Sequence, residues 1–184
     1  MLRRVLTVAT MSVLLVLSTM VAPTQAADLP SKQKWLDDTA QALIGSRPYV
    51  DRKVAGTSGK LALNLDIDNT SLQSHYDRGK AVPRTLRLAR YAKRKGVYIL
   101  FNTGRHVSVR NRAIAQLKRA GFPVDGLCGR RTGESLPQSK QRCRQSFVNN
   151  GYRLIANIGN RSTDFVGGNY LRAYRLPNYG GQLS

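Results

Sequence analysis

Two aspartates stand one residue apart at the end of an apolar run, in a chain with few acidic residues. Residues 61–72 read LALNLDIDNTSL, and Asp66 and Asp68 follow the β-prone first half of this stretch. The chain has 30 Lys and Arg but only 10 Asp and Glu. On extended backbone, side chains at positions i and i+2 lie on the same side. Two carboxylates that close raise each other's pKa unless a cation lies between them, and their oxygens suit Mg²⁺.

The sequence leaves more than one interpretation of this pair. An aspartate can attack phosphorus as a nucleophile, and two of them can hold a metal. The pair can also be a plain turn, because Asp, Asn and Thr favour turns. A calcium loop starting at Asp66 is excluded, because Ser71 occupies the position that needs glycine and a strand precedes the loop.

Three further polar groups stand at the ends of predicted elements. Thr103 and Gly104 follow an apolar strand, where the hydroxyl and nearby N–H groups can cradle an oxyanion or cap a helix. Lys140 opens a predicted helix on its apolar face, so it either binds an anion or extends to solvent. Asp164 follows another strand and is either a third metal ligand or part of a surface turn.

Strands and helices alternate along the chain. Helices are predicted over residues 31–44, 83–95, 107–120 and 140–150, and strands over residues 61–65, 97–101, 124–128, 154–158 and 172–176. The segment between the first helix and the first strand is predicted to be a loop. This alternation predicts an α/β fold, a Rossmann-like three-layer sandwich with a mainly parallel central sheet. Ligands bind beyond the carboxyl ends of such strands, so the polar groups are expected to converge on one cleft.

Taken in order, the polar groups resemble the four motifs of one enzyme superfamily. They are D-I-D-N-T at residues 66–70, N-T-G-R at residues 102–105, the Lys140 helix with its K-x-x-x-R, and G-N-R-S-T-D at residues 159–164. This set is similar to the motifs of the haloacid dehalogenase-like (HAD) superfamily. The K-x-x-x-R spacing, followed by G-Y-R-L-I-A-N-I-G, resembles its acid phosphatase branch, subfamily IIIB. The resemblance covers residues 61–178.

The resemblance implies a phosphatase mechanism. Asp66 is expected to attack phosphorus and form an aspartyl-phosphate. Asp68 is expected to protonate the leaving oxygen and then to activate water. The resemblance also implies that Thr103, Gly104 and Lys140 bind the phosphoryl oxygens.

The resemblance further implies Mg²⁺ as the cofactor. Its ligands are expected to be the Asp66 carboxylate, the Asp68 backbone carbonyl and Asp164. Members of the branch often have Gly-Asp in the fourth motif, where this chain has Gly159-Asn160. The change removes one formal charge, so weaker metal binding is expected rather than a dead site.

The loops predict an open cleft. Residues 71–82 and 106–139 leave too little room for the cap domain that other members insert, so a minimal cap or none is expected. An open, cationic mouth suits bulky or varied phosphomonoesters. His75 and His106 are expected near this mouth as solvated residues.

The first 26 residues resemble a secretory signal peptide. Arg3 and Arg4 precede an apolar run, and small residues lead to a cleavage point after Ala26. The alternative is a retained membrane anchor. The predicted division is residues 1–26 as signal peptide, 27–59 as an N-terminal helix and loop, and 60–184 as the phosphatase domain. The protein is expected to be secreted or extracytoplasmic, with no membrane span after cleavage.

Charge and cysteine content add expectations about partners and compartment. The net charge of +20 predicts attraction to phosphorylated substrates or anionic envelope polymers, unless it only solvates the surface. Nucleic acid is disfavoured as a partner, because no binding motif is present and aromatic content is 7%. Cys128 and Cys143 are either two buried thiols or one disulfide, and export favours the disulfide.

The sequence therefore predicts an exported, Mg²⁺-dependent phosphomonoesterase that acts through an aspartyl-phosphate. The alternative is a catalytically weak HAD-like protein, with Asn160 as a symptom, whose basic surface binds anionic polymers or nucleic acid.

Overall fold

Five parallel strands form one sheet in the computed structural model, which describes residues 29–183. The strands are β1 (Lys60–Leu65), β2 (Tyr98–His106), β3 (Gly126–Arg130), β4 (Tyr152–Gly159) and β5 (Ala173–Arg175). Their order across the sheet is β3-β2-β1-β4-β5. The chain proceeds from β1 to one side and returns to the other, so the order reverses beside β1. Crevices that bind ligands form at such a reversal, beyond the carboxyl ends of the strands.

Helices cover both faces of this sheet. They are α1 (Lys32–Ala42), α2 (Ser46–Gly56), α3 (Pro83–Arg94), α4 (Arg110–Arg119) and α5 (Leu136–Asn149). The side chains of β1 alternate between the faces. Leu61, Leu63 and Leu65 belong to a core that includes residues of α2, α3 and α4. Ala62 belongs to a second core with Phe147 of α5. The predicted three-layer α/β fold is confirmed.

The N-terminal segment and several element boundaries differ from the sequence prediction. A helix, α2, replaces the predicted loop, and Pro48 is its third residue. Proline is tolerated there because the first turn of a helix has N–H groups without helical partners. Strand β2 extends to His106, so Thr103 and Gly104 lie within it rather than after it.

Helix α5 begins at Leu136, one turn before the predicted start at Lys140. Ser135 caps it, and Gln138 completes a capping box with Ser135. The prediction that Lys140 opens a helix was therefore wrong, and so was the argument that its charge opposes the helix dipole at that end. Lys140 instead lies inside the helix, among its buried residues.

The proposed signal peptide, residues 1–26, lies outside the described residues. Within residues 29–183, the helices are too short or too polar for any of them to cross a membrane. The two places where HAD proteins insert cap domains hold no separate domain in this part of the chain. Turns and isolated bridges connect β1 to α3, and a 3₁₀ turn, α4 and β3 fill the second segment.

A disulfide joins Cys128 of β3 to Cys143 of α5, with 5.6 Å between their Cα atoms. This confirms the pairing over the alternative of two free thiols. The bond ties the sheet to the helix that carries Lys140. Closing a loop of this length stabilises a protein by about 3 kcal/mol, chiefly by restricting the unfolded chain.

Replacing both cysteines by serine is expected to lower the free energy of unfolding by about 3 kcal/mol, because the unfolded chain regains its freedom. Urea denaturation, with and without a thiol reductant, measures this. The reductant should shift the transition of the native protein and leave the double variant unchanged. Identical transitions for all samples would contradict a stabilising disulfide.

Candidate active site

Asp66 lies at the carboxyl end of β1, where the order of the sheet reverses. Its N–H donates to the carbonyl of Ile158 on β4 at 2.9 Å, which extends the strand pairing by one residue. The hydroxyl of Ser71 donates to the Asp66 carbonyl at 2.6 Å and fixes the turn that follows. The Asp66 side chain is buried, yet it forms part of the lining of a cleft. The backbone thus holds this carboxylate in one place at the base of the cleft.

Lys140 connects this carboxylate to a second one. Its ammonium Nζ lies 2.5 Å from Oδ1 of Asp66 and 2.6 Å from Oδ1 of Asp164, and it donates to the carbonyl of Asn102 at 2.7 Å. Only 3% of Lys140 is exposed, so the interpretation that it extends to solvent was wrong. Three segments far apart in sequence therefore meet at the buried Lys140 ammonium. This confirms the prediction that the polar groups at the strand ends converge.

Burial and charge act in opposite directions on these groups. Burial raises the pKa of Asp66 to about 7, with Lys140 opposing the shift and the charges of Asp164 and Asp68 adding to it. Burial lowers the pKa of Lys140, but the neighbouring Asp66 and Asp164 outweigh it, so the net shift is upward. Lys140 is therefore held as a cation between the two carboxylates.

Asp164 is fixed by its backbone as well as by its side chain. It lies in a 3₁₀ turn, Ser162–Phe165, and is buried, so the interpretation as a surface turn was wrong. Asn157 Nδ2 and Arg144 Nη1 donate to its backbone carbonyl at 2.9 and 2.5 Å. Its Oδ2 accepts from the N–H of Arg161 at 3.0 Å. Arg144 is the arginine of K-x-x-x-R, so both charged residues of that motif bind Asp164, one turn of helix apart.

Asp68 lines the same cleft in a half-buried position. Arg105 binds it through both oxygens, with Nε 2.8 Å from Oδ2 and Nη2 2.6 Å from Oδ1. The hydroxyl of Ser74 donates to Oδ1 at 2.5 Å. Burial raises the pKa of Asp68, but the bonds from Arg105 and Ser74 outweigh it and lower the pKa overall. Neither partner was predicted to have a role, although N-T-G-R contains the arginine.

The remaining predicted residues take different positions around the cleft. Gly104 lines it, whereas the buried Thr103 accepts a hydrogen bond from the N–H of Arg105 at 3.1 Å. His75 lines the mouth. The ring of His106 instead contacts the hydroxyls of Ser108 and Thr132 beside it. The cleft has a volume of about 690 Å³.

Some of the oxygen atoms at the base of the cleft are suitable ligands for a hard divalent cation. Within residues 29–183, no three His, Cys, Asp or Glu side chains are grouped to hold a metal. Two buried carboxylates, those of Asp66 and Asp164, do converge beside the cleft, and their oxygens are suitable ligands for Mg²⁺. The expected third ligand, the backbone carbonyl of Asp68, is an oxygen as well. A cation here would also offset the charges that raise the pKa of Asp66.

Asn160 contacts the C-terminal end of the described chain. Its Nδ2 donates to the carbonyl of Leu183 at 2.9 Å, and Asn69 donates to the same carbonyl at 3.1 Å. The side chain of Leu183 is buried with Trp35 and Val82, and it lines the cleft. The C-terminal segment thus forms part of the wall of the cleft. No local sequence pattern predicts such a contact.

Comparison with known proteins agrees with this geometry. A family model described as HAD superfamily, subfamily IIIB (acid phosphatase) matches residues 76–182. That range contains N-T-G-R, Lys140 and Asp164 but begins after Asp66 and Asp68. No curated protein matches the sequence.

Two solved structures share the fold. One is described as the class C acid phosphatase from Bacillus anthracis with tungstate bound, and the other as the class C acid phosphatase from the same organism. Their TM-scores are 0.66 and 0.65 at 18% and 17% identity, and each match covers 80% of this chain and 79% of the other. The family match extends over more than half of the sequence. The chain therefore belongs to the acid phosphatase subfamily IIIB of the HAD superfamily, and it is a phosphomonoesterase of that type.

Proposed function

We propose that this phosphatase is exported, depends on Mg²⁺ and acts through an aspartyl-phosphate on Asp66. The observation that supports this most strongly is the position of the Asp66 carboxylate. It is the terminal group of the central strand, it opens into the cleft, and Lys140 holds it beside Asp164. Phosphoryl transfer needs chiefly this kind of positioning and charge neutralisation.

Each residue has a role in the proposed reaction. A carboxylate oxygen of Asp66 forms a bond to phosphorus while the bond from phosphorus to the ester oxygen breaks, and Asp68 gives the leaving oxygen its proton. Water then attacks phosphorus and gives a proton to Asp68 while the bond between phosphorus and the Asp66 oxygen breaks. Inorganic phosphate leaves, and the Asp66 carboxylate is restored. Lys140 keeps Asp66 in position, and Gly104 brings backbone close to the phosphoryl group. Asp66, Asp164 and the Asp68 carbonyl are the groups that would hold Mg²⁺, which would supply positive charge close to the phosphoryl oxygens when bound.

Asp68 starts this cycle as a carboxylate. Its bonds from Arg105 and Ser74 hold it in the ionised form, so it must take up a proton before it can act as the acid. The same two partners keep it at the edge of the cleft, where a leaving group can reach it.

Two features support export. The N-terminus has a short basic start, then an apolar run, then small residues. This order is typical of a secretory signal. The disulfide between Cys128 and Cys143 is typical of proteins that function in oxidising compartments.

The alternative of a catalytically weak relative depended on Asn160. In the structure Asn160 bonds to the carbonyl of Leu183, which gives the amide a role that an aspartate cannot perform. Its identity therefore has an explanation that does not involve loss of activity.

Gly159 explains how Asp164 can pack so close to β4. A Cβ atom at position 159 would lie 2.6 Å from Cγ of Asp164, closer than carbon atoms approach one another. Only glycine leaves room for this carboxylate at its observed position.

Asp66→Asn is expected to lower the turnover of p-nitrophenyl phosphate by about 10³-fold or more, because the amide cannot form the phosphoenzyme. Addition of EDTA to the native protein should also abolish turnover. Asp37→Asn, which alters an exposed carboxylate on α1, is the matched control and should retain full activity. Turnover in Asp66→Asn would contradict the nucleophile, whereas turnover in EDTA would contradict only the metal.

Gly159→Ala is expected to reduce kcat by at least about tenfold, because the added methyl group displaces the Asp164 carboxylate. Gly56→Ala, at the end of α2 where a Cβ meets nothing within 4 Å, is the control. Circular dichroism should show both variants folded. Unchanged kinetics in Gly159→Ala would show that the position of Asp164 does not matter for the reaction.

Asn160→Asp is expected to destabilise the C-terminal segment rather than to improve the enzyme, because it places a carboxylate against the Leu183 carbonyl. The expected loss is about 1–3 kcal/mol in the free energy of unfolding, measured by urea denaturation. Asn149→Asp, on the exposed face of α5, is the control. A more active and equally stable Asn160→Asp protein would instead support Asn160 as a defect in the metal site.

A further inference from the structure

Three arginines face the cleft from three separate segments. Arg78 lies in the connection between β1 and α3, Arg130 is the last residue of β3, and Arg161 follows β4. All three line the cleft that contains Asp66. The carboxyl ends of the strands bring them to the same edge of the sheet.

These arginines differ from the other cations of the cleft in having no acidic partner. Lys140 contacts two carboxylates, and Arg105 binds Asp68. Between residues 29 and 183, no ion pair involves Arg78, Arg130 or Arg161. The Nε of Arg130 is also shielded from solvent and has no hydrogen-bond partner in this part of the chain. A shielded donor without a partner is costly unless a ligand satisfies it.

The charge of the cleft exceeds what one phosphate group requires. Arg105 is paired with Asp68, and Lys140 is paired with Asp66 and Asp164. A phosphomonoester brings about two negative charges. The three unpaired guanidinium groups, together with a divalent metal at the carboxylates, leave positive charge unmatched when a monophosphate is bound. Guanidinium groups bind phosphate oxygens in pairs of hydrogen bonds, so a second phosphate is the group that suits them.

The size of the cleft is also large enough for a substrate with a second phosphate. Its volume of about 690 Å³ is far more than a single phosphoryl group occupies, and no cap domain covers it in the described chain. A substrate with two phosphates on a small carbon skeleton can therefore place one at Asp66 and the other among the arginines.

We propose that Arg78, Arg130 and Arg161 form a second anion subsite, which binds the second phosphate of a bisphosphorylated substrate while the first is hydrolysed at Asp66. This inference rests on the proposed function, because it takes Asp66 as the reacting group. The preferred substrates would be small bisphosphates rather than monophosphates of the same skeleton.

The first test compares fructose 1,6-bisphosphate with fructose 1-phosphate and fructose 6-phosphate. We expect kcat/KM for release of the first phosphate from the bisphosphate to exceed the sum of the two monophosphate values by at least about tenfold, mainly through a lower KM. Comparison with the sum removes the advantage of having two ester groups. A ratio near one would overturn the proposal and leave the phosphatase assignment intact.

Substitutions of the arginines test whether they cause the preference for the bisphosphate. In Arg130→Gln/Arg161→Gln the ratio should fall to less than about threefold. Arg153→Gln, an exposed arginine at the opposite end of β4 from Arg161, removes one charge far from the cleft and should keep the native ratio. If the double variant keeps the native ratio, or if Arg153→Gln loses it equally, the preference does not arise from this subsite and the proposal is overturned.

A binding measurement tests the second anion subsite independently of the reaction at Asp66. Calorimetric titration of Asp66→Asn with the same three sugars measures affinity without turnover. Binding of the bisphosphate at least about tenfold tighter than either monophosphate supports the subsite even if Asp66 is not the nucleophile. Equal affinities would overturn it whatever the kinetics show.

Discussion

The burial of Lys140 between two carboxylates is the constraint on which the rest of the site depends. A lysine of which only 3% is exposed is tolerable only with charged partners in contact, because an unpaired buried charge costs several kcal/mol. Asp66 and Asp164 provide those partners and must therefore stay within hydrogen-bond distance of one helix position. Asp66 is buried by this arrangement and still lines the cleft.

Separate parts of the surrounding structure fix Lys140, Asp66 and Asp164. The disulfide ties α5 to β3 one turn beyond Lys140, and the pairing of β1 with β4 fixes Asp66. Arg144 and Asn157 hold the turn that carries Asp164, and the absence of a side chain at Gly159 makes room for its carboxylate. The geometry of the site is thus held by backbone and helix contacts rather than by a covering domain. An open cleft follows, and its specificity then depends on the charged residues at the rim.

Local patterns were sufficient to predict the residues at the strand ends. Asp66, Asp68 and Asp164 follow strands, and the sheet order brings such ends together whatever the intervening sequence. Lys140 was identified for its unusual place on an apolar face. The start of its helix was misplaced because the capping box of Ser135 and Gln138, a local signal that the sequence does contain, was overlooked.

The contacts that the sequence did not reveal are those between segments distant in the chain. The pairing of Arg105 with Asp68 and the bond from Asn160 to Leu183 depend on tertiary distances, which no periodicity encodes. Helix α2 was missed for a local reason, since Pro48 breaks most helices but not within the first turn.

Direct detection of the phosphoenzyme tests the central claim that Asp66 is the nucleophile. The protein would be mixed with p-nitrophenyl phosphate and Mg²⁺, quenched with acid within one turnover, digested and examined by mass spectrometry. We expect a phosphate on Asp66 in the native protein and none in Asp66→Asn. A phosphate on another residue, or rapid turnover through many quench times with no phosphorylated peptide, would contradict it.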